Sequence, residues 1–289
     1  MVTYRKDTQA KMTRTLARFG GRAAIGLLAL VLFACHKAPV SGPAAETPAT
    51  PVSPLGYAKT SDDAQVSLTL PEPIKLYPDL HARLYSEAQA KLSAFMDQAH
   101  KDRSEQSADG FPVPAYYHNI NWKLSAQSAR LVSLYAEEED FEGGAHPNST
   151  FRTLLWDKSA NAEIGTEHLF AAGTDMKPID SFLCHQIEAE RSKRAGTPVN
   201  QAASGFSCPK LLQSRLILIP STLGGKVGAI DVLFAPYDIA PYAEGPFEIR
   251  IPQSQLKDVL SPEFANEFAG ASVKAQALQD PDSVNDQAQ

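Results

Sequence analysis

Two short segments of the 289-residue chain contain side chains suited to catalysis or recognition. The first runs from Phe141 to Asn148 and places Gly143 and Gly144 before His146 and a proline. A double glycine permits positive φ angles, so this segment predicts a tight turn with an imidazole at its tip. His146 could serve as a general base beside a carboxylate. The alternative is that its ring hydrogen-bonds to backbone and holds the turn.

The second segment runs from Pro236 to Pro246 and contains Tyr237, Tyr242 and Glu244. Proline fixes φ, so a loop bracketed by prolines has a restricted backbone. Tyrosine offers both an apolar ring and a hydroxyl, which makes it common at binding surfaces. The segment therefore predicts an aromatic and acidic recognition loop. The alternative is that the tyrosines pack inward and lock the loop.

Other common catalytic patterns are absent from the sequence. It contains no HExxH, CxxC, G-x-S-x-G or glycine-rich phosphate loop, so we expect neither a metal nor a cofactor. The acidic run Glu137 to Asp140 is interpreted as a solvated strand end. With 33 acidic and 27 basic side chains the net charge is −6, which provides no attraction to nucleic acid.

Residues 1–34 are predicted to be a lipoprotein signal peptide. Basic residues precede an apolar run at 23–34 that is too short for a comfortable transmembrane helix. The sequence Leu32-Phe33-Ala34-Cys35 resembles a bacterial lipobox, which predicts lipidation of Cys35. An ordinary cleaved signal and an uncleaved anchor are the alternatives. Because no Asp follows Cys35, the periplasmic face of the outer membrane is the expected location.

The remaining two cysteines are Cys184 and Cys208, separated by 24 positions. Once Cys35 is assigned to lipid, they form a candidate pair for an oxidising compartment. A bridge closing such a loop would stabilise the fold by roughly 3 kcal/mol. The alternative is two reduced, separately buried thiols.

Hydrophobic periodicity predicts an α+β fold of antiparallel sheets with packed helices. Residues 35–55 are predicted to be a Pro/Ala-rich tether, and residues 271–289 are predicted to be a polar, disordered tail. Between them we expect an N-terminal half at 56–157 and a C-terminal half at 158–270. Strands are predicted near 66–70, 120–124, 130–136, 151–156, 216–219, 227–234 and 247–251. Helices are predicted at 80–95 and 179–187, with two short ones at 256–268.

The order of several motifs identifies a resemblance. Tyr77-Pro78 precedes a helix, Gly143-Gly144-Ala145-His146 follows an apolar strand, and the loop from Tyr237 to Gly245 precedes another strand. This arrangement, over about residues 60 to 268, resembles the extracytoplasmic domain-of-unknown-function family shared by the lysozyme-sensing anti-sigma factor RsiV and the non-catalytic region of a peptidoglycan deacetylase. The resemblance implies an exported, non-catalytic module of two interlocked halves, which in one relative is a lysozyme receptor. The transmembrane helix and sigma-binding segment of that receptor are not found here, so signalling by its route is not expected.

The sequence favours a lipid-anchored binding protein of the cell envelope that recognises peptidoglycan or a lysozyme-like wall-degrading enzyme. The first 34 residues carry six basic and one acidic side chains, so residues 35–289 carry a net charge of −11. That charge would attract a basic enzyme. The alternatives are an envelope hydrolase or deacetylase that uses His146, and a structural envelope-assembly lipoprotein.

Overall fold

The computed structural model describes residues 53–108 and 114–273. The predicted signal peptide, the lipidation site at Cys35 and nearly all of the tether lie outside these residues, as does the tail from residue 274. Within the described ranges, no helix has both the length and the apolar character required to cross a bilayer.

The first part of the chain forms six strands and a long helix. Their bounds are β1 (Gly56–Thr60), β2 (Ala64–Thr69), α1 (Pro78–Ala108), β3 (Tyr116–Gln127), β4 (Leu131–Phe141), β5 (Asn148–Asp157) and β6 (Ala162–Ile164). The six strands make one sheet in sequence order. All neighbours are antiparallel except β2 and β3, which run parallel because α1 crosses between them.

Helix α1 covers one face of this sheet. Residues repeating at intervals of four, such as Leu80, Leu84 and Leu92, are buried against alternate residues of the strands, such as Ile120 and Trp122. Spacing by four places side chains on one helix face, and spacing by two places them on one sheet face. The two patterns therefore meet as a continuous apolar core.

The second part of the chain forms a three-stranded antiparallel sheet with its own helices. Its elements are α2 (Lys177–Ala195), β7 (Arg215–Pro220), β8 (Val227–Phe234), β9 (Phe247–Pro252) and α3 (Gln253–Leu256), and the strand order is β7-β8-β9. One face packs on α2 through residues such as Ile187. On the opposite face Ile217 and Leu233 cluster with Phe151 of β5, so β8 is buried on both faces.

The α+β prediction and the positions of the main strands and helices are confirmed. Two details differ. The interpretation of the acidic run as solvated is wrong for Glu138, which is only 3% exposed because its strand face lies under α1. The predicted final pair of short helices is one α-turn, α3, and a 3-10 turn at Ala265–Glu267. The division into halves at residue 157 stays a prediction.

Candidate functional site

The two segments singled out in the sequence lie together at one end of the sheets. The β4–β5 turn contains Gly143 and Gly144 at φ angles of 93° and 108°, followed by the exposed His146. The β8–β9 loop brings Tyr242 onto His146, with ring centroids 3.8 Å apart and planes 20° from parallel. The Tyr237 ring lies 6.1 Å from His146 and 5.6 Å from Tyr242. We call His146, Tyr237 and Tyr242 the aromatic patch.

Hydrogen bonds hold the aromatic patch in this arrangement. The His146 Nδ1 atom lies 2.8 Å from the Pro147 carbonyl oxygen, and because that oxygen can only accept, Nδ1 carries the hydrogen. In the neutral ring Nε2 is then free to accept from the Tyr237 hydroxyl, 3.4 Å away. The Tyr242 hydroxyl donates to the same Pro147 carbonyl at 3.2 Å. His146 thus holds the turn through its hydrogen bond to backbone, and its ring also faces solvent.

Tyr237 has an unusual backbone conformation. Its φ angle is +74°, although an aromatic residue at positive φ is a genuine outlier. Its amide donates to the Ala240 carbonyl, and the Asp238 carboxylate accepts from the Ala235 amide and from Arg215. Such strain costs about 1–3 kcal/mol and is concentrated at functional sites. Here it accompanies a tyrosine side chain that is presented to solvent, with 58% of the residue exposed.

A second aromatic pair lies beside the patch on the six-stranded sheet. Tyr117 of β3 stacks on Phe141 of β4 with centroids 5.8 Å apart, and the Tyr117 hydroxyl donates to Glu139 at 2.8 Å. Burial, this hydrogen bond and the neighbouring Glu139 charge raise the pKa of Tyr117 to about 12, and Tyr242 adds to the effect. The phenol is therefore neutral at physiological pH. Sequence reasoning missed this pair, although the alternation of β3 and β4 places both residues on the face opposite α1.

Glu244, the predicted acidic member of the recognition loop, is paired within the protein. Arg191 of α2 donates to both of its carboxylate oxygens, at 2.9 and 2.6 Å. Arg191 is 4% exposed, and this bidentate contact lowers the pKa of Glu244. Arg194 donates to the main-chain carbonyls of Glu244 and Pro246. Glu244 therefore attaches the loop to α2, whereas Tyr237 is exposed and Tyr242 is half-buried against His146.

The two remaining predicted site residues form a disulfide. Cys184 lies in α2 and Cys208 lies in the segment after it, and their Cα atoms are 5.3 Å apart. The predicted pairing is confirmed. Gly196, at a φ angle of 69°, ends α2 and turns the chain back toward the helix.

The groups around His146 differ from those expected around a general base. No Asp or Glu in the described part of the chain forms an ion pair with His146, so a base and its orienting carboxylate are not assembled there. Across residues 53–108 and 114–273, no three His, Cys, Asp or Glu side chains are grouped closely enough to bind a metal ion. The patch instead offers ring faces, a hydroxyl and an imidazole edge.

Two family models match consecutive parts of the chain. "Deacetylase PdaC" matches residues 58–149, and "Protein of unknown function (DUF3298)" matches residues 167–254. The first match contains His146, and the second contains Tyr237 and Tyr242. The aromatic patch is therefore built from both matched regions.

Curated relatives include the immunogenic proteins MPB64 of Mycobacterium bovis and MPT64 of Mycobacterium tuberculosis. Each is 27% identical over 119 residues, which is 41% of this chain and 47% of the relative. The chain thus spans about half the length of the curated relatives that it matches.

Two solved DUF3298 structures are also similar. The protein from Bacteroides fragilis is 17% identical with a TM-score of 0.46, over 71% of this chain and 86% of that one. The protein from Pseudomonas aeruginosa is 18% identical with a TM-score of 0.47, over 76% of this chain and 99% of that one.

Proposed function

Because consecutive regions of the chain match the PdaC and DUF3298 family models, we propose that the protein is a binding module of the cell envelope. Its recognition surface is the aromatic patch. Lipid on Cys35 anchors the module at the periplasmic face of the outer membrane.

The observation that carries this proposal is the convergence of the two loops. His146 and Tyr237 lie 91 positions apart in the chain, yet their side chains meet on the surface. The positive φ angle of Tyr237 accompanies a side chain that does not pack into the core, since 58% of the residue is exposed. Exposed tyrosines held in a fixed geometry are typical of the anchor residues of binding sites.

A basic wall-degrading enzyme of the lysozyme type is the leading ligand. Residues 35–289 carry a net charge of −11, and the carboxylates of Glu139, Asp140 and Glu142 lie on or beside the strand that leads to the patch. Such a surface speeds encounter with a cationic partner and favours its binding. The resemblance to a lysozyme-sensing receptor points in the same direction.

Peptidoglycan is the second candidate ligand. The exposed rings of His146 and Tyr237 offer flat faces flanked by hydrogen-bonding groups, which suits a sugar ring. In this case affinity would be nearly independent of salt, because the glycan lacks the dense positive charge of the enzyme.

Calorimetric titration of the protein with a basic lysozyme at low and physiological salt tests the leading candidate. We expect saturable binding that weakens steeply with salt. Tyr237→Ala and His146→Ala should each weaken it at least tenfold, in the range of interface anchors. The matched control His185→Ala removes an exposed histidine from α2 and should leave affinity unchanged.

Three other results would decide against this assignment. Affinity that is indifferent to salt contradicts the electrostatic argument. Equal affinity of wild type and Tyr237→Ala contradicts the patch as the binding surface. Binding of soluble peptidoglycan fragments in place of lysozyme, with the same sensitivity to Tyr237→Ala, favours the second candidate.

A further inference from the structure

The loop that carries the tyrosines has few bonds of its own. Within it, the Tyr237 amide donates to the Ala240 carbonyl, the Glu244 amide to the Pro241 carbonyl and the Gly245 amide to the Tyr242 carbonyl. These short-range turns do not fix the loop relative to His146, and one of them contains the strained residue. Contacts from outside the loop must therefore hold it.

Most of these outside contacts come from α2 and the segment that follows it. Arg191 binds the Glu244 carboxylate with two hydrogen bonds. The Gln201 side chain is 0% exposed, and its Nε2 atom donates to the Ile239 carbonyl at 2.8 Å. The loop is thus held near its middle by Gln201 and near its end by Arg191.

Gln201 and Arg191 are themselves joined. The remaining guanidinium nitrogen of Arg191, Nη1, donates to Gln201 Oε1 at 2.9 Å and to Ser204 Oγ at 2.8 Å. Ser204 in turn donates to the Gln201 carbonyl. A buried network of this kind is strong only while every member is satisfied, so displacement of Gln201 would weaken both anchors together.

The position of Gln201 depends on how its own segment is held. Residues 197–208 form no strand and only one 3-10 turn, Ala202–Ser204. The Cys184–Cys208 disulfide ties the far end of this segment to α2. Nearer its start, the Val199 amide donates to Ser192 and the Gln201 amide donates to Glu188, both on α2. The disulfide therefore closes the segment against the helix that carries Arg191.

We propose that the Cys184–Cys208 disulfide positions the aromatic patch for binding, and that Gln201 and Arg191 are the positioning residues that transmit this effect. This inference rests on the proposed function of the patch. The segment closed by the disulfide holds Gln201. Together with Arg191, Gln201 holds the β8–β9 loop. That loop in turn holds Tyr237 and Tyr242 against His146.

The test uses a readout that needs no ligand. The Tyr242 ring lies 3.8 Å from the His146 ring, so its ring current shifts the carbon-bound proton resonances of His146 in NMR spectra of the full chain. These resonances are assigned by their loss in His146→Gln. We expect Gln201→Leu and the double variant Cys184→Ala/Cys208→Ala to move them toward random-coil positions. Lys193→Met, an exposed change on α2, is the control that should not move them.

Lysozyme affinity is measured on the same folded samples. We expect it to fall at least fivefold in Gln201→Leu and in the double cysteine variant, in parallel with the loss of the His146 shift. Unchanged His146 resonances in either folded variant, Gln201→Leu or Cys184→Ala/Cys208→Ala, would overturn the proposal. Wild-type protein with a normal His146 shift but no binding would instead contradict the proposed function and leave the positioning result intact.

Discussion

Glu138 is a charged residue in the core, with a side chain that is 4% exposed between β4 and α1. It forms an ion pair with Lys91, and Arg152 and His118 lie 3.6 and 3.7 Å from its oxygens. Burial alone would raise its pKa, but interactions with His118, Lys91 and Arg152 outweigh burial and lower the pKa of Glu138 to about 2. The carboxylate is therefore ionised inside the fold and depends on its cations.

Lys91→Met should lower the free energy of unfolding by about 1–3 kcal/mol, because it leaves the buried Glu138 carboxylate poorly paired. Chemical denaturation at pH 7 measures the change. Lys101→Met, at an exposed position of the same helix, should have little effect. The double variant Lys91→Met/Glu138→Leu should recover stability, and failure to do so would mean that Lys91 acts through packing.

The pKa of Glu248 shifts in the opposite direction to that of Glu138. Burial, together with its neighbour Asp231, raises the pKa of Glu248 to about 8. Between about pH 4.5 and 8 the folded state holds a proton that the unfolded state has released. Stability therefore falls as pH rises through this window, by at most about 1.4 kcal/mol per pH unit.

Glu248→Gln should remove this pH dependence, since an amide keeps the shape of the side chain without the charge. We expect the variant to be more stable than wild type at pH 8 and similar to it below pH 5. Urea denaturation at pH 5, 6.5 and 8 provides the comparison. If the free energies of unfolding of the two proteins change in parallel with pH across this range, Glu248 is ionised in the folded protein.

At the scale of elements, the β4–β5 turn determines where His146 lies. Gly143 and Gly144 have φ angles of +93° and +108°, and a Cβ atom at either position would meet no other atom within 4 Å. Substitution there changes only the backbone energy. It should act on the turn alone, without damage to the core.

Gly143→Ala/Gly144→Ala should cost about 2–4 kcal/mol in stability, since each position contributes about 1–2 kcal/mol, and should weaken binding at the aromatic patch, because His146 leaves its stack on Tyr242. Melting temperature and lysozyme affinity measure the two effects. Gly224→Ala is the control, since it alters the β7–β8 turn at a position without positive φ and with open space around it. Affinity retained by the double alanine variant would show that the turn tolerates an alternative geometry.

Most elements could be predicted from sequence because their burial follows simple periods. Leu80, Leu84 and Leu92 repeat as a helix face, and the apolar residues of β3 alternate. The same alternation extends from Leu134 through Ala136 to Glu138. It therefore places the charged Glu138 on the buried face of β4. The parallel pairing of β2 with β3 has no such local signal, since it depends on the path of α1.

The candidate site was predicted only in part, for a related reason. The glycine and proline residues identify both loops in the sequence, but they do not indicate that the two loops are in contact. Contacts such as that of Arg191 with Glu244 join residues 53 positions apart and are set by tertiary packing. The positive φ angle of Tyr237 runs against local preference, so no sequence rule points to it.

At the scale of the whole molecule, the aromatic patch depends on both matched regions. His146 comes from the region that resembles PdaC, and its partners come from the DUF3298 region. Neither region alone could present all three rings. The proposed recognition surface therefore requires both matched regions, and the proposed anchor at Cys35 would tether them together.

Cys35→Ser tests the anchor directly. The thiol of Cys35 is the atom that would carry the lipid, so serine should shift the protein from the membrane fraction to the soluble fraction of a Gram-negative host and from the detergent phase to the aqueous phase. The double variant Cys184→Ala/Cys208→Ala retains Cys35 and should still partition into the detergent phase. A wild-type protein that is already fully soluble, or a Cys35→Ser variant that still partitions with detergent, would contradict lipidation at this residue. Either result would leave the aromatic patch unaffected, because all of its residues lie more than one hundred positions further along the chain.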